Sequence, residues 1–399
     1  MLCAKAEHTI FFNMSDPLTI EEVFTAYYEC RKTKRYSKSA LSFEINLEER
    51  LVELFYELKN YTWQPGRYNA FIVTKPVRRE IFAAPFKDRI VHHILINRLN
   101  QTFEKHFIFD SYACRKGKGT HAAIKRVEHF VKSESHNGQR KAWVLKLDIK
   151  GFFMNVDRNL LWQKLSCFID QYYDSSADFE KYLARTIIFN DPSKNCVLRS
   201  PKEEWLPLPR DKSLFTTKEN CGLPIGNLTS QVFANFFLTE LDHFVKHSLG
   251  IKKYVRYVDD CVFVSVNKPL LKGVIKKVRS FLKNQLKLTL HPKKIYLQSV
   301  YSGVEFLGTF IRPGFTQSSR RVKNNFVQAL KKASEDVRKE KPRPEKIKEI
   351  FASINSYLGI LGHCKNYRFT RRQVERNFSD NLKKHFKVLE KLNKICFKC

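Results

Sequence analysis

Tyr254-Val255-Arg256-Tyr257-Val258-Asp259-Asp260-Cys261-Val262-Phe263-Val264 is the stretch whose reading decides the fold. Two apolar, β-branched and aromatic runs flank adjacent aspartates, which predicts a hairpin with both carboxylates at its tight turn. Carboxylates so close repel one another unless a cation lies between them. A bare Asp-Asp pair is by itself an ordinary surface turn. Asp148, which ends the strand-like run Trp143-Val144-Leu145-Lys146-Leu147, changes that reading, because a fold could bring it beside the pair. Hard oxygen ligands on rigid strands suit Mg²⁺. One carboxylate from one strand and two from a neighbouring hairpin are the donor set of a two-metal phosphoryl-transfer site.

The chain has 399 residues, with 43% hydrophobic content and 33 Phe, enough for two or three subdomains with a sizeable core. It carries 72 Lys and Arg against 40 acidic residues, a formal charge of +32 that points to a long polyanion, nucleic acid first. An anionic membrane surface is the rival partner. No apolar run approaches the roughly 18 residues a membrane span needs, and Met1-Leu2-Cys3-Ala4-Lys5 opens no secretory apolar segment, so a cytoplasmic protein is expected. Ten cysteines lack framework spacing and read as reduced thiols; the terminal Cys396-x-x-Cys399 has no second pair at zinc-ribbon spacing.

Helical spacing runs through residues 20 to 60, interrupted by the basic run Arg31 to Lys38. Residues 69 to 84 read as a hairpin with Lys75, Arg78 and Arg79 at a cationic tip, which could clamp a triphosphate or be merely solvated. The neighbouring His92 and His93 do not share a helix face and read as core or hydrogen-bonding groups. Arg115-Lys116-Gly117-Lys118-Gly119-Thr120 precedes a helix and can cradle phosphate, although it lacks Walker A spacing. Asp157 is an apt N-cap, residues 190 to 220 read as an inserted loop, and Gly250 as the stop of a long helix after Gln231. From Arg320 onward 22 Lys and Arg face eight acidic residues in a tail read as three helices, broken at Pro342-Arg343-Pro344 and near Gly359 to Gly362.

Lys146-Leu147-Asp148-Ile149-Lys150-Gly151-Phe152-Phe153 resembles the first aspartate motif of reverse transcriptases, and Tyr257-Val258-Asp259-Asp260 their Tyr-x-Asp-Asp box. Ser111-Tyr112 upstream, with Pro292-Lys293-Lys294 and Phe306-Leu307-Gly308 downstream, completes an ordered series over roughly residues 70 to 315. The resemblance implies an α+β right-hand polymerase fold, with fingers, a palm whose antiparallel sheet packs on helices, and a helical thumb. The expected divisions are a helical extension over 1–60, fingers 61–140, palm 141–316 with a return to the fingers, and a basic thumb 317–399. It implies two Mg²⁺ ions, with Mn²⁺ as a substitute, at Asp148, Ile149, Asp259 and Asp260. Lys294, with Lys293 beside it, matches the lysine that assists proton transfer to pyrophosphate. Lys75, Arg78, Arg79, Phe152, Phe153, Ile225, Gly226 and Gln231 fall where the family binds the dNTP, Phe153 being the ring that crowds a ribose 2′-OH. Arg115, Lys116, Lys118, Tyr257, Arg320, Arg321 and Lys323 fall to nucleic-acid contact.

Most reverse transcriptases open the motif before the long helix with Gln-Gly, whereas this chain reads Ile225-Gly226-Asn227-Leu228-Thr229-Ser230-Gln231. That wording is similar to the enzymes of diversity-generating retroelements, whose cDNA synthesis is error-prone. An apolar Ile225 offers no amide hydrogen bonds beside a nascent pair, so geometric checking would be looser. The kinship further implies a template RNA, an RNA–DNA hybrid and a small basic accessory protein as partners, and no membrane. A retron-type or other prokaryotic reverse transcriptase of ordinary fidelity is the enzymatic alternative. An inactive basic RNA-binding scaffold is the alternative of another class, against which three intact aspartates argue.

Overall fold

The computed structural model describes residues 18–32, 34–75, 77–173, 177–339 and 342–397. In chain order it opens with helices α1 (Ile20–Arg31), α2 (Lys38–Glu44) and α3 (Leu47–Lys59), strands β1 (Tyr68–Val73) and β2 (Arg79–Ala83), and helices α4 (Phe86–His106) and α5 (Thr120–Glu134). Strand β3 (Trp143–Leu147) leads to α6 (Phe152–Asn155), α7 (Arg158–Tyr172) and α8 (Ala177–Phe189), then β4 (Cys196–Leu198), α9 (Leu228–Phe237) and α10 (Thr239–His243). The hairpin β5 (Tyr254–Tyr257) and β6 (Asp260–Ser265) precedes α11 (Lys268–Gln285) and strands β7 (Tyr296–Ser299), β8 (Val304–Phe306), β9 (Thr309–Arg312) and β10 (Phe315–Ser318). The tail holds α12 (Arg320–Lys339), α13 (Pro344–Gly362), α14 (Tyr367–Asn377), α15 (Asp380–His385) and the short strands β11 (Phe386–Val388) and β12 (Ile395–Phe397).

These elements form two compact units. One holds the chain up to Phe107 with Gly151–Glu240 and Phe281–Leu288; the other holds Ile108–Lys150, Leu241–Ser280 and the chain from Thr289. In the first, α1 starts with a capping box between Thr19 and Glu22 and lays Val23, Ala26 and Tyr27 inward. Helix α4 buries Ile90, Ile94, Leu95, Leu99 and Phe103, and His92 lies fully inside this apolar run with neither ring nitrogen partnered. Antiparallel β1 and β2 carry β4 in parallel on the far edge of β1. The stretch expected as a plain loop, residues 190 to 220, is therefore partly strand. Buried Glu80 holds its remainder, accepting from Trp205 Nε1 at 2.7 Å, Ser213 Oγ at 2.8 Å and the Leu214 amide at 2.6 Å.

The second unit is built on the antiparallel sheet β5-β6-β3-β7. Because side chains alternate along a strand, Val144, Val255, Val262 and Val264 share one face and pack with Ala123, Ile124, Val127 and Phe130 of α5. A second sheet, β10-β9-β8, turns between β8 and β9 at Leu307-Gly308, both at positive φ. The tail departs from the expected three helices. Helix α13 begins at Pro344 and ends at Gly362, within the two stretches read as breaks, but beyond it the chain forms two helices rather than one, so four helices plus the β11–β12 hairpin close around Phe326, Leu330, Ile354, Leu358 and Leu382. Cys396 sits in that hairpin, while Cys399 and the N-terminal Met1 to Lys5 lie outside the described residues.

Replacing Glu80 with Ala strands three donors in a water-poor site. Glu80→Ala is expected to lower the unfolding free energy by about 2–4 kcal/mol, read from urea denaturation; a loss within experimental error would show that the 205–214 segment does not depend on this carboxylate.

Candidate active site

The strand register brings the carboxylates to one end of the central sheet. Leu147 pairs with Cys261 and Lys146 with Val262, so the next step along β3 sets Asp148 opposite Asp260. Tyr257 pairs with Asp260, which leaves Val258 and Asp259 as the two turn residues. The turn thus carries one aspartate rather than both, and Asp260 opens β6. Asp148, Asp260 and Lys146 continue the sheet face whose apolar half packs on α5.

The turn is held from beneath. Arg256, on the opposite face and fully buried, makes a bidentate pair with buried Asp242 at 2.7 and 2.6 Å and donates to the Val258 carbonyl at 3.1 Å. Tyr254 OH donates to the same Asp242 at 2.8 Å. Burial alone would lower the Arg256 pKa, but the Asp242 charge and hydrogen bonds raise it, so the guanidinium stays charged. Val258 takes φ 54°, an unusual conformation for a β-branched residue, and the Arg256 contact helps impose it. Ser111 bridges Arg256, and the Tyr112 amide donates to the Arg256 carbonyl at 3.0 Å, so the Ser111-Tyr112 motif braces β5 from its outer edge.

The segment after α11 is tied to the end of β3: the His291 amide donates to the Asp148 carbonyl at 2.8 Å, and Ile149 bridges Leu290. Lys294 Nζ consequently reaches Asp148 Oδ2 at 2.8 Å, whereas exposed Lys293 directs its amide to His291 Nδ1. Lys146 Nζ lies 3.1 Å from Asp260 Oδ1 and 3.2 Å from the Glu305 carbonyl. Burial, then the charges of Asp260 and Asp148, push the Asp259 carboxyl up to about 7. Burial pulls the Lys294 pKa down, but its bond to Asp148 and the surrounding carboxylates leave it raised.

Among the described residues no three His, Cys, Asp or Glu side chains form a ready metal-ligand group. Asp148 and Asp260 each turn to an ammonium, Lys294 and Lys146, which relieves the same repulsion a metal cation would. The chemistry of the donors fits a hard divalent ion, since three carboxylate side chains meet here and burial, then the charges of its neighbours, makes ionisation of Asp259 costly without a cation. Buried Ile149 could add its main-chain carbonyl alone.

The other expected site residues fall into three groups. In the first unit, Phe153 and Ile225 pack on one cluster with Tyr68, Ala70, Phe82 and Met154, and Phe152 is buried beside Phe153. The Phe82 amide donates to the Ile225 carbonyl at 2.8 Å, and at Gly226, φ 121°, a Cβ would stand 2.8 Å from Ile81. Gln231 is exposed on α9. At the β1–β2 tip Lys75 and Arg79 are exposed, Arg78 donates to the Glu204 carbonyl at 2.7 Å, and Pro76 lies outside the described residues.

In the second unit, Arg115 donates to the Ile108 and Ser111 carbonyls at 2.7 and 2.9 Å, and Lys118 donates to the Phe109 carbonyl while lying over the Phe109 and Tyr112 rings. Both side chains hold their own loop, and Lys116 is exposed. Tyr257 OH accepts from Thr120 at 3.2 Å. Arg320 and Arg321 are exposed at the start of α12, and Lys323 donates to Gln317. Sequence reasoning missed Asp242, Arg256 and Lys146. Their signal was present: a charged residue inside an apolar run needs a buried partner or a polar site.

Residues 73–311 match the family model for reverse transcriptase, described as RNA-dependent DNA polymerase, which is well over half the chain. The chain belongs to the reverse transcriptase family. Its right-hand polymerase fold combines helices with the antiparallel sheet that carries the aspartates. It is similar to Protein YkfC of Escherichia coli K12, 24% identical over 254 residues, covering 56% of this chain and 60% of that protein. Among solved structures it is similar to telomerase from Candida albicans in complex with a telomeric RNA fragment (12% identity, TM-score 0.46, 86% of this chain and 60% of that one). It is also similar to apo telomerase from Candida tropicalis (13%, TM-score 0.43, 67% and 59%). The chain thus spans about three fifths of the length of these proteins. No helix among the described residues of this reverse transcriptase family member is long and apolar enough to cross a membrane.

The raised Asp259 pKa fixes a sign. Between about pH 4, where an unfolded aspartate ionises, and pH 7, the folded chain binds the extra proton, so this group's contribution to stability falls as pH rises. Asp259→Asn, measured without metal in EDTA, is expected to exceed the parent by about 1–3 kcal/mol at pH 8 and to match it below about pH 4. An advantage equal at both ends would refute the coupling.

Proposed function

We propose that the chain is an RNA-directed DNA polymerase that adds dNTPs to a primer 3′-OH on a template RNA. The observation that carries this reading is the convergence of Asp148 and Asp260 on facing strands with buried Asp259 in the turn between, each flanking carboxylate met by a lysine. Phosphoryl transfer needs little covalent chemistry from a protein and much positioning of charge, which such a rigid strand-end cluster supplies. Bound Mg²⁺, or Mn²⁺ in its stead, would be held by the aspartates, activate the hydroxyl and steady the leaving group. Lys294, raised in pKa and beside Asp148, is placed in this reading to give a proton to departing pyrophosphate.

Phe153 follows Asp148 by five residues, and its ring is the proposed gate against a ribose 2′-OH, the one group that separates NTP from dNTP. Ile225 packs on the same apolar cluster. We further propose the diversity-generating subtype: error-prone copying of a retroelement template RNA in the cytoplasm, with a small basic accessory protein. The support is the Ile225-Gly226-Asn227 wording and an aliphatic side chain where an amide would read the nascent pair.

Primer extension on an RNA template with Mg²⁺ and dNTPs is expected to yield cDNA, and Asp259→Ala to abolish it by at least about a thousandfold, the scale of losing a charge-stabilising group. Extension that survives the substitution would sink the polymerase reading in favour of an RNA-binding scaffold. Ile225→Gln is expected to lower misincorporation at template adenines several-fold, read by sequencing the cDNA. An unchanged error spectrum would remove the role given to Ile225, and ordinary fidelity in the parent would favour a retron-type enzyme.

A further inference from the structure

Helix α11 carries six cations and no acidic residue in 18 positions. Its inward stripe is Leu271, Val274, Val278 and Leu282, all buried. Lys268, Lys272, Lys276 and Arg279 follow one another at four- and three-residue steps on the other side, the last three exposed. Lys268 lies 3.9 Å over the Trp143 ring, and with Pro269, Lys272, Gly273 and Lys276 it lines a shallow hollow of about 490 Å³.

Gly273, within this hollow, has no reason in the fold itself. Its φ is not positive, and a Cβ there would meet no atom within 4 Å, so neither conformation nor packing demands glycine. In a helix interior glycine is less favourable than alanine. The remaining use of a missing side chain is close approach by something from outside. Four cations around a bare stretch of helix suit a run of phosphates. Lysine heads are point charges that follow a backbone without reading bases, and their spacing is comparable to that of successive phosphates.

The hollow is not the aspartate cluster. Trp143 begins β3 and Asp148 follows its end, while α11 starts beyond Ser265 at the end of β6 remote from Asp260. Five residues of strand separate the two by about 16 Å.

We propose that the Lys268–Lys272–Gly273–Lys276–Arg279 face of α11 binds the phosphate backbone of double-stranded RNA outside the copied template, anchoring a structured part of the RNA to the polymerase. This rests on the polymerase reading for its purpose but is measured without it. An anionic lipid surface is the competing partner for the same charge, and RNA is favoured because, among the described residues, Leu270 is the one large apolar side chain of α11 that is exposed.

The test compares the full chain with Lys272→Gln/Lys276→Gln, with Gly273→Gln, and with Lys212→Gln/Lys218→Gln, a control of equal charge loss at exposed positions elsewhere. Binding of a fluorescent RNA hairpin of about 20 base pairs is followed by anisotropy across a salt series. The α11 double variant is expected to bind about tenfold more weakly at moderate salt, with the log–log salt slope reduced by roughly two. Gly273→Gln should weaken binding without changing the slope as much, and the control should do neither. Extension of a short primer–template should stay at the parent rate. Unchanged hairpin affinity overturns the proposal, as does an equal loss in the control, which would reduce the effect to net charge. If sedimentation with phosphatidylserine vesicles responds to the substitutions while the hairpin does not, the face belongs to a membrane surface instead. A parent that binds the hairpin through α11 yet extends no primer would sink the polymerase reading and leave this surface standing.

Discussion

The buried pair of Arg256 and Asp242 is the constraint on which the rest of the candidate site depends. Two charges taken out of water are tolerable only when geometry is good and the remaining hydrogen-bonding capacity is filled. Both conditions hold: the contact is bidentate, Tyr254 supplies another donor to Asp242, and the spare guanidinium nitrogen goes to the Val258 carbonyl. Removing one partner of such a pair costs about 3–5 kcal/mol, because the survivor stays buried and unpaired. That energy is coupled to the hairpin turn. A β-branched residue at positive φ would relax if its carbonyl were released, and the orientation of Asp259 would go with it.

Above the turn the electrostatics run the other way. The sheet end collects three carboxylates in a partly desolvated place, and the chain answers with Lys146 and Lys294, each aimed at a different aspartate. Asp259 is left with its proton affinity raised, by burial first and then by the neighbouring carboxylates. A cluster arranged in this way is costly to the folded chain unless a cation completes it. Stability held in the Arg256–Asp242 pair beneath offsets strain and repulsion in the turn above.

The pattern of residues disclosed the aspartate hairpin, its pairing with the Asp148 strand, and the Asp157 cap, because period-two alternation and capping chemistry are local. Register is not local. Whether the turn carried one aspartate or two depended on Tyr257 pairing with Asp260, which the apolar runs on either side leave open. Lys293 and Lys294 were indistinguishable in sequence, and the main-chain bonds of His291 and Ile149 decide which one reaches Asp148. The partners of Arg115 and Lys118 were hidden for a related reason: a cation's partner can be a carbonyl of its own loop, and composition does not tell carbonyls from phosphates. In residues 190 to 220 the proline content hid a strand whose partner, β1, lies more than a hundred residues earlier.

Gly151 answers a constraint of another kind, that of the backbone itself. The first unit's segment begins at this residue, directly after the run that carries Asp148 and before the ring of Phe153. Its φ of 53° is left-handed, and a Cβ would stand 2.7 Å from the Asp211 carbonyl and 2.9 Å from the Asn155 amide nitrogen. Glycine meets both demands at once, which neither an ordinary turn residue nor alanine does. The start of α6 is therefore set by one backbone conformation rather than by side-chain packing. The apolar cluster around Phe153 therefore tolerates change better than Gly151 tolerates any side chain.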